Sequence, residues 1–358
     1  MSLAARIPKV HLHCHLEGTL RAATFVELAG KYGVPLRYRP SEGSTAWVGE
    51  PLAVDPNEPY RFADFQEFLL TFAAASRSLA QPGDYARLAR EFVEDALAQN
   101  VMYGELFISP SVWTFFNPKL DVREAVTAIA GELRAAKPRA TFRLIADLTR
   151  NFGAQRAMKT AQLAASMIDV DVIGVGLGGD ETRFPAADFA QPFAYARSRG
   201  LQCVAHAGEA AGAHSVADAI ELLGAQRIGH GIAALQDARV VDMLVSKGIA
   251  LEICPTSNRL TGVALPDSHA HLEFDRVGCT VTIDADDPAM FGTSIAREYA
   301  IAEETAGSDA LLRYVRNAID ASFADAELKR DLHARVTQAT DATELSDARR
   351  RQDEHVGP

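Results

Sequence analysis

Three histidines within five positions give this chain its first chemical signal, in the run His11-Leu12-His13-Cys14-His15-Leu16-Glu17-Gly18. Residues two apart on an extended strand share a face, so His13 and His15 project together, with His11 expected on that face one step earlier. Two imidazoles on one face make half of a zinc site. Read as ordinary core histidines, they would crowd polar nitrogens into an otherwise apolar strand. His206-Ala207-Gly208-Glu209 offers a third imidazole with a carboxylate close by. Gly229-His230-Gly231 sets a histidine between glycines that let the backbone approach a ligand, although a turn histidine fits that tripeptide as well. Asp284-Ala285-Asp286-Asp287-Pro288 gathers carboxylates that raise one another's pKa unless a cation compensates them. Asp287 ahead of Pro288 also suits a helix N-cap. Jointly, His13, His15, His206 and Asp286 form an N₃O set for one zinc with room for a water, and Glu209 and His230 stand near to handle its protons.

The elements that must position these residues recur along the chain as a short apolar run, a turn and an amphipathic helix. Strands are expected at Val10–Leu16, Val101–Ile108, Phe142–Leu148, Val172–Leu177, Gln202–His206, Arg227–Gly229, Ala250–Ile253 and Cys279–Ile283. Their near-continuous apolar character suits parallel strands buried on both sides. Helices are expected at Tyr85–Gln99, Val122–Ala135 and Val216–Leu223 between the strands. Phe65, Phe68, Leu69 and Phe72 mark an apolar helical stripe, which ordinary core packing would also explain. Eight strands alternating with helices predict an α/β fold, a (β/α)₈ TIM barrel, rather than a doubly wound sheet, whose Gly-rich phosphate turn after the first strand is missing. In such a barrel the ligand-type residues fall at the C-terminal ends of strands one, five, six and eight, its catalytic face. Pro35–Pro59, rich in Pro, Gly and Ser, reads as a long loop after the first helix, and Asp309–Thr343 as C-terminal helices. Residues 1–345 are expected to form one catalytic domain, followed by a polar tail over 346–358.

Composition narrows the partners. With 36 basic against 47 acidic residues the formal charge is −11, which argues against a nucleic-acid partner. No apolar run is long enough for a membrane span. Met1 to Pro8 is too short and mixed for a signal peptide, and four scattered cysteines suit reduced thiols, so a cytoplasmic protein with a small-molecule substrate is expected.

The chain resembles the adenosine deaminase family of amidohydrolase-type barrels. The resemblance rests on Pro8 through Gly18, Gly174-Val175-Gly176-Leu177-Gly178-Gly179-Asp180-Glu181, His206 through Glu209, Ile228 through Gly231, Glu252-Ile253-Cys254-Pro255-Thr256-Ser257-Asn258 and Asp286-Asp287-Pro288, in family order. It implies one Zn²⁺ on His13, His15, His206 and Asp286, and attack of a zinc-bound hydroxide on the amino-bearing carbon of a purine nucleoside. Glu209 would protonate the adjacent ring nitrogen, His230 and Asp287 would orient the hydroxide, Asp287 would also contact the ring, and the Gly179 N–H would bind another ring nitrogen. Glu17 would contact a ribose hydroxyl, and Phe65, Phe68, Leu69 and Phe72 would form an apolar lid. Adenosine is the expected substrate, since Gly178-Gly179-Asp180-Glu181 follows the adenosine-type loop, where adenine deaminases tend to carry Asp-Ser-Ser-Glu. Adenine or a 5′-modified adenosine is the alternative, because Glu at position 17 is common in adenine deaminases. Two-metal amidohydrolases carry a carboxylated lysine after the fourth strand, and no lysine stands there. A purine-binding protein without activity is the remaining reading, disfavoured by the complete set of proposed ligands and proton-handling groups.

Overall fold

The computed structural model describes residues 2–39, 50–63, 65–264 and 268–354, with the side chains of Phe65 and of residues 342–354 outside the description. Eight parallel strands follow one another around a nearly closed barrel. In order they are β1 (Lys9–His15), β2 (Val101–Ile108), β3 (Thr141–Asp147), β4 (Val172–Gly176), β5 (Gln202–Ala207), β6 (Arg227–His230), β7 (Ala250–Ile253) and β8 (Thr280–Ile283). Each pairs with the next in parallel register. Between β8 and β1 the ring meets through a Cys14–Asp286 bridge. There the His15 N–H donates to the Asp286 carbonyl at 3.0 Å and the Asp286 N–H to the His13 carbonyl at 3.0 Å. This is the expected (β/α)₈ barrel, and the strands fall within a residue or so of their expected bounds.

Helices wrap the outside because their apolar stripes need the outer face of the strands. Helix Pro82–Ala98 begins three residues before the periodicity suggests, since Gln81 and Asp84 form a reciprocal cap around Pro82. The stretch expected as one helix at Val216–Leu223 is an α-helix over Ala213–Asp218 that widens into a π-turn over Ala219–Leu223. The C-terminal helices are Ser308–Ala321 and Ala326–Glu354, the latter carrying helical backbone into the expected tail. In the Pro35–Pro59 loop, Tyr38–Arg39 pairs antiparallel with Glu50–Pro51, while 40–49 lie outside the described residues. No helix among the described residues is long and apolar enough to cross a membrane.

The barrel interior is filled in layers. At its N-terminal floor Arg227 (β6) donates to Glu105 (β2) at 2.6 Å and to Glu252 (β7) at 2.5 Å, all three fully buried. The Phe323 ring lies beneath, 3.9 Å from the guanidinium. Phe107, Ile145 and Val204 form an apolar layer of their own. The histidines of β1 and β5 sit at the C-terminal end.

One expectation about β1 fails. The strand bulges between His11 and Cys14, so the two-residue alternation breaks and His11 leaves the face of His13. The cause is Asp284, whose Oδ1 accepts the N–H groups of both Leu12 and His13, at 2.6 and 3.0 Å. His11 borders a cavity with Phe92 and Ala96 of the surrounding helix layer, and its Nε2 accepts the Ala285 N–H at 3.2 Å.

Candidate active site

At the mouth of the barrel, ligand-capable atoms of His13, His15, His206 and Asp286 all lie within 4.8 Å of one another, and all four residues are buried. Asp286 Oδ1 stands 3.4 Å from the Nε2 atoms of both His13 and His15. The Nε2 atoms of His15 and His206 face each other at 3.1 Å. His13 Nε2 is buried without a hydrogen-bond partner. Facing ring nitrogens, an orphaned third nitrogen and a carboxylate are the donor chemistry of a divalent cation site of the zinc kind. Burial holds His15 neutral, down at about 3, and His206 well below the ordinary imidazole range, the form a metal ligand requires. Burial would lift the Asp286 carboxyl, but hydrogen bonding to His13 and the nearby charge of His230 hold it well below the usual range.

The chain fixes these groups from behind. His13 Nδ1 meets Glu252 Oε2 at 2.7 Å, which joins it to the Arg227–Glu105 floor. The Ser257 hydroxyl donates to Asp286 Oδ2 at 2.7 Å, and Asn258 Oδ1 meets His230 Nδ1 at 2.7 Å. Such partners set the tautomer and orientation of a ligating or proton-handling ring. The β6 strand passes so close to His13 that a Cβ at Gly229 would come 2.6 Å from its ring. His230 and Asp286 both hold left-handed backbone, φ 62° and 61°, a strain that persists only where surrounding contacts enforce it.

Glu209 and Asp287 complete the polar end. Glu209 Oε1 lies 3.7 Å from His230 Nε2, and burial raises its carboxyl above the ordinary range. Its turn is held by Glu181, whose carboxylate accepts the N–H groups of Gly208, Glu209, Ala210 and Ala211 at 2.5 to 3.1 Å, together with the Ser215 hydroxyl. Asp287 is pushed well up by burial and by Asp286 beside it, which favours its neutral form.

The cavity next to these groups is lined by Gly178 and Gly179 on one side and by Phe68, Leu69, Phe72 and Val112 on another. Phe68 and Phe72 belong to helix Phe65–Ser78, while the Phe65 side chain lies outside the described residues. Glu17 is placed differently from the rest. Its Oε1 accepts the Ser109 N–H at 2.8 Å and the Trp113 indole N–H at 2.6 Å, and the side chain is absent from the cavity lining. Burial lifts its pKa to about 7.

Glu105, Arg227 and Asp147 of this framework are not among the residues picked out from sequence, and Glu252, Asn258 and Glu181 enter there only inside stretches that carry the resemblance, with no role of their own. Glu105, Arg227 and Glu252 carry a signal, since each is a lone charge in an apolar strand and must be paired if buried. Asp147 ends β3 and looks like a turn residue.

Residues 8–339 match the family model described as adenosine deaminase. An adenine deaminase of Rhizobium rhizogenes is 35% identical over 340 residues, covering 93% of this chain and all of that one. Among solved structures, adenine deaminase from Arthrobacter aurescens superposes with a TM-score of 0.83 at 27% identity, over 94% of this chain and 99% of that chain. The Arabidopsis N6-mAMP deaminase superposes with a TM-score of 0.77 at 25% identity, over 94% and 100%.

Proposed function

The chain belongs to the adenosine deaminase family, and from that premise we propose that it hydrolyses adenine to hypoxanthine and ammonia, with one zinc held by His13, His15, His206 and Asp286. Family membership makes it a hydrolase acting on C–N bonds of cyclic amidines. When bound, the zinc would supply a water of lowered pKa as nucleophile. The barrier is loss of aromaticity at the amino-bearing carbon. A neutral Glu209 offsets it by holding a proton at the adjacent ring nitrogen, and its buried setting supports that protonation state. His230, aligned by Asn258, and Asp287 orient the attacking oxygen, while the Gly179 N–H donates to a second ring nitrogen. Phe68, Leu69 and Phe72 keep bulk water from the ring. We take residues 1–345 as one catalytic unit and 346–358 as its tail.

Adenine is preferred here over adenosine on one observation. Glu17, the carboxylate that would pair a ribose hydroxyl, has its Oε1 taken by Trp113 and Ser109, and the side chain, its second oxygen included, is buried behind the cavity wall and does not border the cavity. The names of the relatives agree with the free base. Adenosine is favoured by the Gly178-to-Glu181 loop, but Glu181 there is engaged by the Gly208–Ala211 backbone. The test is a comparison of kcat/KM for adenine, adenosine and AMP, followed by ultraviolet absorbance. Adenine is expected to lead by at least about 10²-fold. Faster turnover of adenosine or AMP would overturn the substrate while leaving the reaction type.

A further inference from the structure

Asp147 is a carboxylate in the cavity wall that neither the candidate metal set nor the proton-handling groups employ. It is 3% exposed. Its Oδ2 accepts the Thr149 hydroxyl at 2.9 Å, and Thr149 in turn accepts the Ser111 hydroxyl at 3.0 Å. Its Oδ1 is buried and makes no hydrogen bond of ordinary geometry. The nearby cation, Arg150, is committed to the carbonyls of Phe184 and His206, both at 2.7 Å. Burial lifts the carboxyl to about 6, with Thr149, Arg150 and the Gly178 backbone pulling it partly back. Buried polar atoms are almost always partnered, so an unpartnered oxygen on a carboxylate that lines a cavity points to a donor carried by the occupant.

Position identifies that donor. The candidate metal set comes from β1, β5 and the turn after β8, whereas Asp147 ends β3, between β2 and β4. It lies against Gly176 and Gly178, since a Cβ at Gly178 would come 3.1 Å from Oδ1 and one at Gly176 3.4 Å. Phe107 sits between the two ends, its ring centroid 5.0 Å from those of His13 and His15 and its edge 2.7 Å from a Cβ at Gly176. A purine whose amino-bearing carbon is at the metal set, with Glu209 on the adjacent nitrogen, turns its opposite edge toward β3 and β4. On that edge a free purine in its N9–H form carries an N–H, and its N3 remains an acceptor for the Gly179 N–H. A nucleoside carries a carbon on N9 instead.

We infer that Asp147 accepts this N–H and thereby selects the free base over its nucleosides. The inference rests on the proposed adenine reading and supplies its specificity residue. A nucleoside would leave the Asp147 oxygen buried and unpaired, and a site built around a polar partner strongly rejects analogues that lack it.

The experiment compares adenine with 9-methyladenine, which lacks the N9–H, on the zinc-loaded enzyme and its Asp147→Ala and Asp147→Asn variants. The unaltered enzyme is expected to favour adenine by about 10²-fold or more in kcat/KM. Asp147→Ala lowers the adenine value by about 10²-fold, chiefly through KM, and leaves 9-methyladenine within a few-fold. Asp147→Asn keeps an acceptor oxygen and the Thr149 bond, and retains an intermediate preference. Should Asp147→Ala not fold, Asp147→Asn and equilibrium binding of hypoxanthine against 9-methylhypoxanthine read the same ratio. If the unaltered enzyme prefers adenine and the variants lose both substrates equally, or keep the ratio, Asp147 is structural and the inference falls alone. If the unaltered enzyme turns over adenosine faster than adenine, the substrate reading falls and the inference with it.

Discussion

Replacing Arg227 by methionine should be among the most damaging single changes outside the catalytic mouth. The guanidinium is 1% exposed and its partners Glu105 and Glu252 are 0% exposed, at 2.6 and 2.5 Å. Methionine matches much of the side-chain volume, so the loss is one of charge and hydrogen bonds rather than of packing. Removing one partner of a buried ion pair costs about 3–5 kcal/mol, because the other charge stays buried and uncompensated. Here Glu105 loses its cation and Glu252 keeps only His13, and the contact with the Phe323 ring at 3.9 Å is worth about 1–2 kcal/mol more. We expect a loss of about 5 kcal/mol or greater, read from the urea midpoint of metal-free protein by circular dichroism. Combining Arg227→Met with Glu105→Gln removes the charge left without a cation and should recover a large part of it, while Glu252 keeps its contact with His13. A loss below about 1 kcal/mol for Arg227→Met alone, or no recovery in the double variant, would show that charge pairing does not hold this layer.

Three further outcomes are expected. Glu209→Gln should bind zinc normally, by elemental analysis, yet lose more than about 10²-fold in kcat, since it keeps the shape and removes the acid. Gly18→Ala should cut kcat by a similar order with little change in circular dichroism, because the new Cβ would collide with the Asp287 carboxyl. Asp147 gives a pH signature in stability. Its folded pKa of about 6 exceeds the ordinary aspartate value of 3.8, so the folded state binds the proton more tightly and stability falls as pH rises between those values. Two units at about 1.36 kcal/mol each bound the effect near 3 kcal/mol. Asp147→Asn should flatten that slope in urea titrations between about pH 4 and 7, and an unchanged slope would contradict it.

The sequence was most legible where the physics is local. The eight strands showed themselves as short apolar runs, and the helices by their 3.6-residue period. His13, His15, His206 and Asp286 stood out because polar ligand types at strand ends are hard to keep without a partner. What escaped depends on distant neighbours. The bulge that turns His11 away is enforced by Asp284, 272 positions from Leu12. The Arg227 layer joins residues 25 and 122 positions apart. For Glu17 the residue type was visible but not its direction, which Trp113, 96 positions on, decides. Helix Pro82–Ala98 started early because a cap at Gln81 and Asp84 outweighs apolar periodicity in setting a terminus.

Whether this cluster holds one zinc and uses it to deaminate a purine is decided by measuring ammonia release from adenine with the zinc content known, before chelation, after chelation and after adding zinc back. We predict one equivalent of zinc per chain in the active protein, loss of ammonia release with its removal, and recovery on restoring one equivalent. Undiminished ammonia release from metal-free protein, or full activity only at two equivalents, would contradict it.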